Sequence, residues 1–95
     1  MNIQFGTYDV LDCPNCGEGN LHQGRIKIFE REEDNDLCHI TTVDDSGTHI
    51  EVGPGDDNPS KRRHGLLISF WCECCPARPT LGISQHKGST YLQWQ

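Results

Sequence analysis

The fold of this chain is decided by two cysteine-containing segments, Cys13-Pro14-Asn15-Cys16-Gly17 and Phe70-Trp71-Cys72-Glu73-Cys74-Cys75-Pro76. Each contains a pair of cysteines separated by two residues, which lets both sulfurs bind one metal ion at about 2.3 Å. Backbone amides in such a turn donate hydrogen bonds to the thiolates, and a glycine after the second cysteine permits the positive φ that ends the turn. Four thiolates complete a closed tetrahedral site. The spacing therefore predicts one structural Zn2+ ion held by Cys13, Cys16, Cys72 and Cys75.

The second segment leaves the choice of the fourth ligand open. Cys74 is a rival to Cys75, and if it is not a ligand it is expected to be a small apolar filler that points away from the metal. His22 is a weaker candidate to replace one thiolate. The sixth cysteine, Cys38, lies in a segment of alternating hydrophobicity and is predicted to be a small buried hydrophobic residue.

The two cysteine pairs resemble the knuckles of the zinc-ribbon superfamily, in which turns on adjacent β-hairpins clamp a zinc ion. The first pair follows the Cys-Pro-x-Cys-Gly pattern, whereas the second departs from the commoner pattern because Cys74 lies inside it and Pro76 follows it. The resemblance covers these pairs and the strands that leave them. It implies a zinc-ribbon core and a structural zinc in a small bacterial or phage-type protein, and it implies no activity.

The rest of the sequence predicts an all-β protein. Segments between glycines and prolines are short and rich in β-branched or aromatic residues, and apolar residues alternate in them, as Ile26 and Ile28 do. Predicted strands cover residues 20–30, 37–43, 48–52, 66–71, 80–84 and 90–94, and predicted turns cover 32–36, 44–47 and 85–89. This succession of hairpins predicts a small antiparallel meander around the zinc-ribbon core.

Length and composition predict one domain that needs an added source of stability. The chain has 95 residues, of which 34% are hydrophobic, so residues 1–95 form one domain with a thin core. Residues 53–65 have almost no apolar content and many turn formers, which predicts a long mobile loop.

The N-terminal residues and the shortness of the apolar segments predict a cytoplasmic protein with no membrane partner. The first nine residues lack the basic start and apolar run of a secretory signal, and no apolar stretch approaches the roughly 20 residues of a transmembrane helix. In a reducing compartment, closely spaced cysteines bind metal more often than they form disulfides. A mature secreted chain stripped of its signal would have the same features.

Charge predicts a noncatalytic module that binds a partner protein. The net charge is -6, and ten of the fourteen acidic residues lie within residues 30–57. Such an acidic face suits a basic partner, including one whose phosphate-binding groove it would occupy by mimicking nucleic acid. Acidic loops that serve only solubility are an equally weighted alternative. The sequence does not specify the oligomeric state.

Nucleic-acid binding is the alternative function. The basic loop Lys61-Arg62-Arg63-His64 would contact phosphates, and exposed aromatic residues among Trp71, Tyr91 and Trp94 would stack on bases. The sequence pI of about 5.1 disfavours it. An enzyme is not expected, because a four-thiolate zinc site has no open coordination position. Iron binding, as in rubredoxins, would require a second motif that repeats the first.

Overall fold

The computed structural model describes residues 3–32 and 35–95, without the side chain of Thr7. After a short 3-10 turn, η1 (Thr7–Asp9), come six strands: β1 (Leu21–Glu30), β2 (Cys38–Asp44), β3 (Gly47–Gly53), β4 (Gly65–Cys72), β5 (Thr80–His86) and β6 (Ser89–Trp94). The all-β prediction is confirmed, and each strand overlaps its predicted segment. The predicted turn at 32–36 lies partly outside the described residues. No helix in the described ranges is long and apolar enough to cross a bilayer.

The six strands form one antiparallel sheet in the order β3-β2-β1-β4-β5-β6. This order corrects the predicted single meander, because β1 lies between β2 and β4 and two three-stranded meanders meet at the β1–β4 pair. Residues 54–64 carry the chain from the β3 edge back to the centre of the sheet. There β4 pairs its apolar residues with those of β1, as Ile26 with Ile68 and Ile28 with Leu66.

Two of the turns predicted from the sequence, at 44–47 and 85–89, are confirmed. Between β2 and β3, the carboxylate of Asp44 accepts hydrogen bonds from the backbone amide of Ser46 at 2.9 Å and from its hydroxyl at 2.6 Å. Between β5 and β6, Lys87 has a φ of 48° and Gly88 a φ of 81°. Two successive positive φ values are typical of the two-residue turns that match the twist of a hairpin.

One face of the sheet, called here the covered face, packs beneath the 54–64 loop. Its core consists of Phe29, Cys38 and Ile40, which are at most 5% exposed, with Leu67 packed against them. Gly55 of the loop has a φ of 62°, and a Cβ built there would lie 2.8 Å from the sulfur of Cys38. Only glycine therefore allows this close approach. The prediction that Cys38 is a small buried hydrophobic residue is confirmed.

Hydrogen bonds tie the 54–64 loop to the sheet at several points. The buried hydroxyl of Ser60 donates to the carbonyl of His64 at 2.6 Å and accepts from the backbone amide of Gln85 at 2.9 Å. The guanidinium of Arg31 donates to the carbonyls of Pro54 and Lys61, both at 2.6 Å. The loop is therefore bonded along its length. Its predicted mobility stays a prediction.

The opposite face, called here the open face, carries two rows of residues that cross all six strands. The first row consists of Ile50, Thr41, Ile28, Leu66, Ile83 and Leu92, and the second of Thr48, Val43, Ile26, Ile68, Leu81 and Trp94. Ten of these twelve residues are apolar and none is charged. Ile50 is 72% exposed and Leu92 46% exposed at the two edges. Leu81 of the second row is only 6% exposed, but no second sheet or helix of the described chain packs on this face.

Candidate metal centre

The pairing of β1 with β4 brings the two cysteine pairs together. The first pair precedes β1, and the second begins at the last residue of β4. Because the two strands are antiparallel, the start of β1 lies beside the end of β4, with Leu21 opposite Cys72. Cys16 and Cys72, 56 positions apart in the sequence, therefore come into contact at one end of the sheet.

The four sulfurs predicted to bind the metal form one compact cluster. The Sγ atoms of Cys13, Cys16, Cys72 and Cys75 all lie within 4.8 Å of one another. The sulfurs of Cys13 and Cys75 are 3.8 Å apart, and those of Cys16 and Cys72 are 3.6 Å apart. Four sulfurs arranged tetrahedrally about 2.3 Å from a central ion would be about 3.8 Å from one another. The cluster therefore fits a metal ion with little rearrangement.

The first pair is held by a tight turn closed by backbone hydrogen bonds. The amide of Gly17 donates to the carbonyl of Cys13 at 2.9 Å, and the amide of Cys13 donates to the carbonyl of Glu18 at 2.8 Å. Gly17 has a φ of 81°, as the sequence predicts for the residue after the second cysteine. Cys13 is 2% exposed, whereas Cys16 is exposed. The centre therefore lies at the surface, with Cys16 on its outer side.

The second pair is oriented by hydrogen bonds to its sulfurs. The backbone amide of Cys74 donates to the sulfur of Cys72 at 3.4 Å. The side-chain amide of Asn15, which lies between the first two cysteines, donates to the sulfur of Cys75 at 3.4 Å. Such N–H···S bonds orient metal ligands and disperse thiolate charge. Asn15 therefore links the two turns directly.

Crowding and hydrogen bonding shift the thiol pKa values in opposite directions. A backbone hydrogen bond from Glu18 lowers the pKa of Cys16, but partial desolvation by the surrounding protein and the neighbouring thiols outweigh it and raise this pKa to about 12. The hydrogen bond from Asn15, with one from the backbone of Ala77, lowers the pKa of Cys75 to about 6. Neighbouring thiolates disfavour one another. A bound metal cation removes this conflict, because it deprotonates coordinating thiols.

Cys74 lies outside the cluster. Its sulfur accepts a hydrogen bond from the side-chain amide of Asn20 at 3.3 Å, and the residue is exposed. The prediction that Cys74 is an apolar filler is therefore wrong, because its side chain is not packed in a core. Its position also separates it from the four clustered sulfurs, to which Cys75 belongs.

His22 lies on the covered face beside the centre. Its ring stacks on the indole of Trp71, with ring centroids 4.1 Å apart and an interplanar angle of 10°. Its Nε2 is 3.2 Å from a carboxylate oxygen of Glu73. These contacts place His22 outside the thiol cluster. This stack was not predicted from the sequence, because it depends on the β1–β4 register, which places His22 directly opposite Trp71.

A basic groove runs along the covered face next to this stack. Its walls include four of the eight basic side chains of the protein, Arg25, Lys27, Lys61 and Arg78. Asp56 and Asp57 also line it. Lys27 forms an ion pair with Asp57. Trp71 lines an adjoining hollow with Arg25 and Arg78, and 40% of its surface is exposed. Positive charge and an exposed aromatic ring therefore lie side by side.

Comparison with known proteins gives no match: no family model, no curated protein and no solved structure is similar to this chain. Its function is therefore inferred from the arrangement of its own residues.

Proposed function

We propose that this chain is a noncatalytic zinc-stabilised binding module, of zinc-ribbon type, that contacts a basic partner protein through its acidic segment, residues 30–57. The metal is assigned as zinc because four thiolates at tetrahedral spacing are a preferred zinc environment. The sulfur–sulfur distances of 3.6 and 3.8 Å support this assignment. Iron is the competing metal for four thiolates. The six free cysteines suit a reducing compartment, which supports a cytoplasmic location.

The role of the metal in this proposal is structural. Zinc bound by four thiolates supplies no redox chemistry and leaves no coordination position for a water or substrate. What the chain's own residues do is hold the start of β1 against the end of β4. Asn15 fixes the orientation of the fourth ligand through its hydrogen bond to Cys75. Function is therefore sought on the surfaces of the sheet, away from the metal.

The observation that carries the binding proposal is the segregation of charge. The acidic segment, residues 30–57, contains ten of the fourteen acidic residues and one of the eight basic residues. That basic residue, Arg31, is engaged by the backbone of the 54–64 loop. Asp45 lies exposed at the β2–β3 turn and Glu51 on the edge strand β3. A basic partner approaching this edge would be attracted over a Debye length of about 8 Å.

A second candidate function is single-stranded nucleic-acid binding in the basic groove. The specific observation in its favour is the exposed Trp71 ring next to Arg25 and Arg78. Bases stack on such rings while cations contact phosphates. Asp56 and Asp57 in the same groove oppose this function because they would repel the phosphates. The protein-binding proposal is therefore the first choice.

Charge reversal on each surface separates the two functions. The tagged chain is purified from the cells that encode it as wild type, as an Asp45→Lys/Glu51→Lys variant and as a Lys61→Glu/Arg78→Glu variant. All four positions are exposed, so each variant should fold. Captured proteins are identified by mass spectrometry and captured nucleic acid by ultraviolet absorbance. Native mass spectrometry of the same samples should give one zinc per chain.

If the proposal is correct, the same protein should be captured by the wild type and by the Lys61→Glu/Arg78→Glu variant. Its affinity for the Asp45→Lys/Glu51→Lys variant should be about 10-fold lower or weaker still, because both substitutions replace attraction by repulsion. Equal capture by both variants would contradict an acidic binding surface. Nucleic acid that is lost only from the Lys61→Glu/Arg78→Glu variant would establish the second candidate instead.

A further inference from the structure

The open face has no role in the proposed function, although it carries a continuous apolar surface across all six strands. Its two central rows hold ten apolar residues among twelve and no charge. In the first row Ile50 is 72% exposed, Ile28 39% and Leu92 46%, whereas Leu81 in the second row is 6% exposed. Domains normally bury such a face against a second layer of structure. Within the described chain, this second layer is missing.

The size of the open face matches what a stable interface needs. Six strands at about 4.8 Å spacing and three rows of alternate residues about 7 Å apart give a patch of roughly 29 by 20 Å, or about 600 Å². The third row begins with Val52, which is 59% exposed and lies opposite His39. Stable protein interfaces bury about 800 Å² per partner. The open face with its rim reaches this range.

We propose that the open face packs against the open face of a second copy of this chain, which makes the protein a homodimeric β-sandwich. Sheets that pack face to face lie about 10 Å apart and interdigitate their apolar side chains. A patch that binds itself forms a closed two-fold dimer and leaves no further copy of the patch exposed. The dimer supplies the layer that each sheet lacks.

Charge favours a second copy as the occupant. The two central rows contain no charged residue, so pairing them buries no unpaired charge, whereas a charged partner surface would lose its solvation there. Glu30 lies in the third row, opposite His39, and with Arg63 it lines the rim of the hollow formed by Ile28 and Leu66. Both charged residues are exposed at this rim, outside the two central rows. Glu51 pairs with Ile40 on the covered face, and Asp45 lies in a turn. The net charge of the chain therefore does not prevent this contact.

Two adjacent residues of β6 provide a matched test. Leu92 lies on the open face and is 46% exposed, whereas Tyr91 lies on the covered face and is 44% exposed. Leu92→Lys and Tyr91→Lys therefore add the same charge to the same edge strand at similar exposure. The metal-loaded full chain and both variants are studied by sedimentation velocity from about 1 to 100 µM, a range that detects micromolar association. Bound metal and circular dichroism verify the fold of each variant.

We expect the wild type and Tyr91→Lys to sediment as dimers, with twice the 10.7 kDa mass of one chain. Leu92→Lys should weaken dimerisation by about 100-fold or more, because each dimer carries the substitution twice in its interface. A wild type that is monomeric at every concentration would overturn the proposal. So would a dimer that both variants dissociate, or that neither does. A monomer that retains lipid or another protein on this face would assign a different occupant. The dimer does not depend on the partner proposed for the acidic segment.

Discussion

The cysteine cluster and the core around Phe29 both join β1 to distant parts of the chain, but they do so with different strength. The core brings β1, β2 and the 54–64 loop together with three fully buried or nearly buried side chains, Phe29, Cys38 and Ile40. The cluster joins residues up to 62 positions apart through four sulfurs. Small cores rarely supply more than a few kcal/mol of net stability. The comparison indicates that a metal ion bound by the cluster would stabilise the fold more than apolar burial does.

The largest expected effect is the loss of the metal. Cys13→Ser removes one of two buried ligands, and metal binding to thiolate sites contributes about 10 kcal/mol or more to folding. Many domains have a total stability of only about 5–15 kcal/mol. Because the small core is expected to add little, loss of the metal should remove most or all of the stability of this fold. We therefore expect Cys13→Ser, or wild type treated with a chelator, to be largely unfolded. Nuclear magnetic resonance spectra should lose their amide dispersion.

Return of the metal serves as the control for this prediction. Adding zinc to chelated wild type under reducing conditions should restore the dispersed spectrum, whereas Cys13→Ser should not recover it. A chelated protein that keeps the same dispersion as the metal-loaded one would show that the core suffices. In that case the comparison between the two regions would be reversed.

The second effect in size tests the core itself. Phe29→Ala in the metal-loaded protein removes a fully buried ring, and such substitutions cost about 3–5 kcal/mol. The expected result is a lower free energy of unfolding in urea with the metal still bound. Leu37→Ala is the control, because Leu37 is 51% exposed and should change stability by less than about 0.5 kcal/mol. Equal effects of both substitutions would mean that Phe29 does not lie in a packed core.

Local sequence signals predict the strands well, because alternation and turn chemistry act over a few residues. Predicted segments such as 20–30 and 48–52 differ from β1 and β3 only by a residue at their ends. The turns at Gly47 and Gly88 follow from residues that tolerate positive φ. The four clustered cysteines also follow from spacing alone.

Strand order is not a local property, and the single meander predicted from the succession of hairpins is wrong. The 54–64 loop carries no signal of the edge to which it returns. The cysteines do carry one, because four sulfurs around one ion require the start of β1 to lie beside the end of β4. The open face could not be predicted either, since alternation shows which residues share a face and not what covers it.

A third, smaller effect concerns how the loop is attached to the sheet. Ser60→Ala removes a hydroxyl that donates to the carbonyl of His64 and accepts from the amide of Gln85. The Ser60 hydroxyl is buried, and both of its hydrogen bonds are partly buried, so leaving the two backbone groups without a partner should cost about 1–3 kcal/mol. The expected result is lower stability in urea and faster hydrogen exchange at the Gln85 amide. Ser46→Ala in the exposed β2–β3 turn is the control and should leave exchange at Gln85 unchanged. Unchanged exchange in Ser60→Ala would mean that the loop is not held at this point.

The smallest effect is expected at Cys74, which lies in the same turn as Cys75 but outside the cluster. Cys74→Ser changes a side chain outside the cluster whose sulfur contacts Asn20, and the backbone amide of residue 74 still donates to Cys72. Metal content by native mass spectrometry should therefore stay at the wild-type value. Cys75→Ser, one position along, should lose the metal because it removes one of the four clustered sulfurs. If Cys74→Ser loses the metal and Cys75→Ser keeps it, Cys74 is the fourth ligand and the turn after β4 binds the metal in a different arrangement.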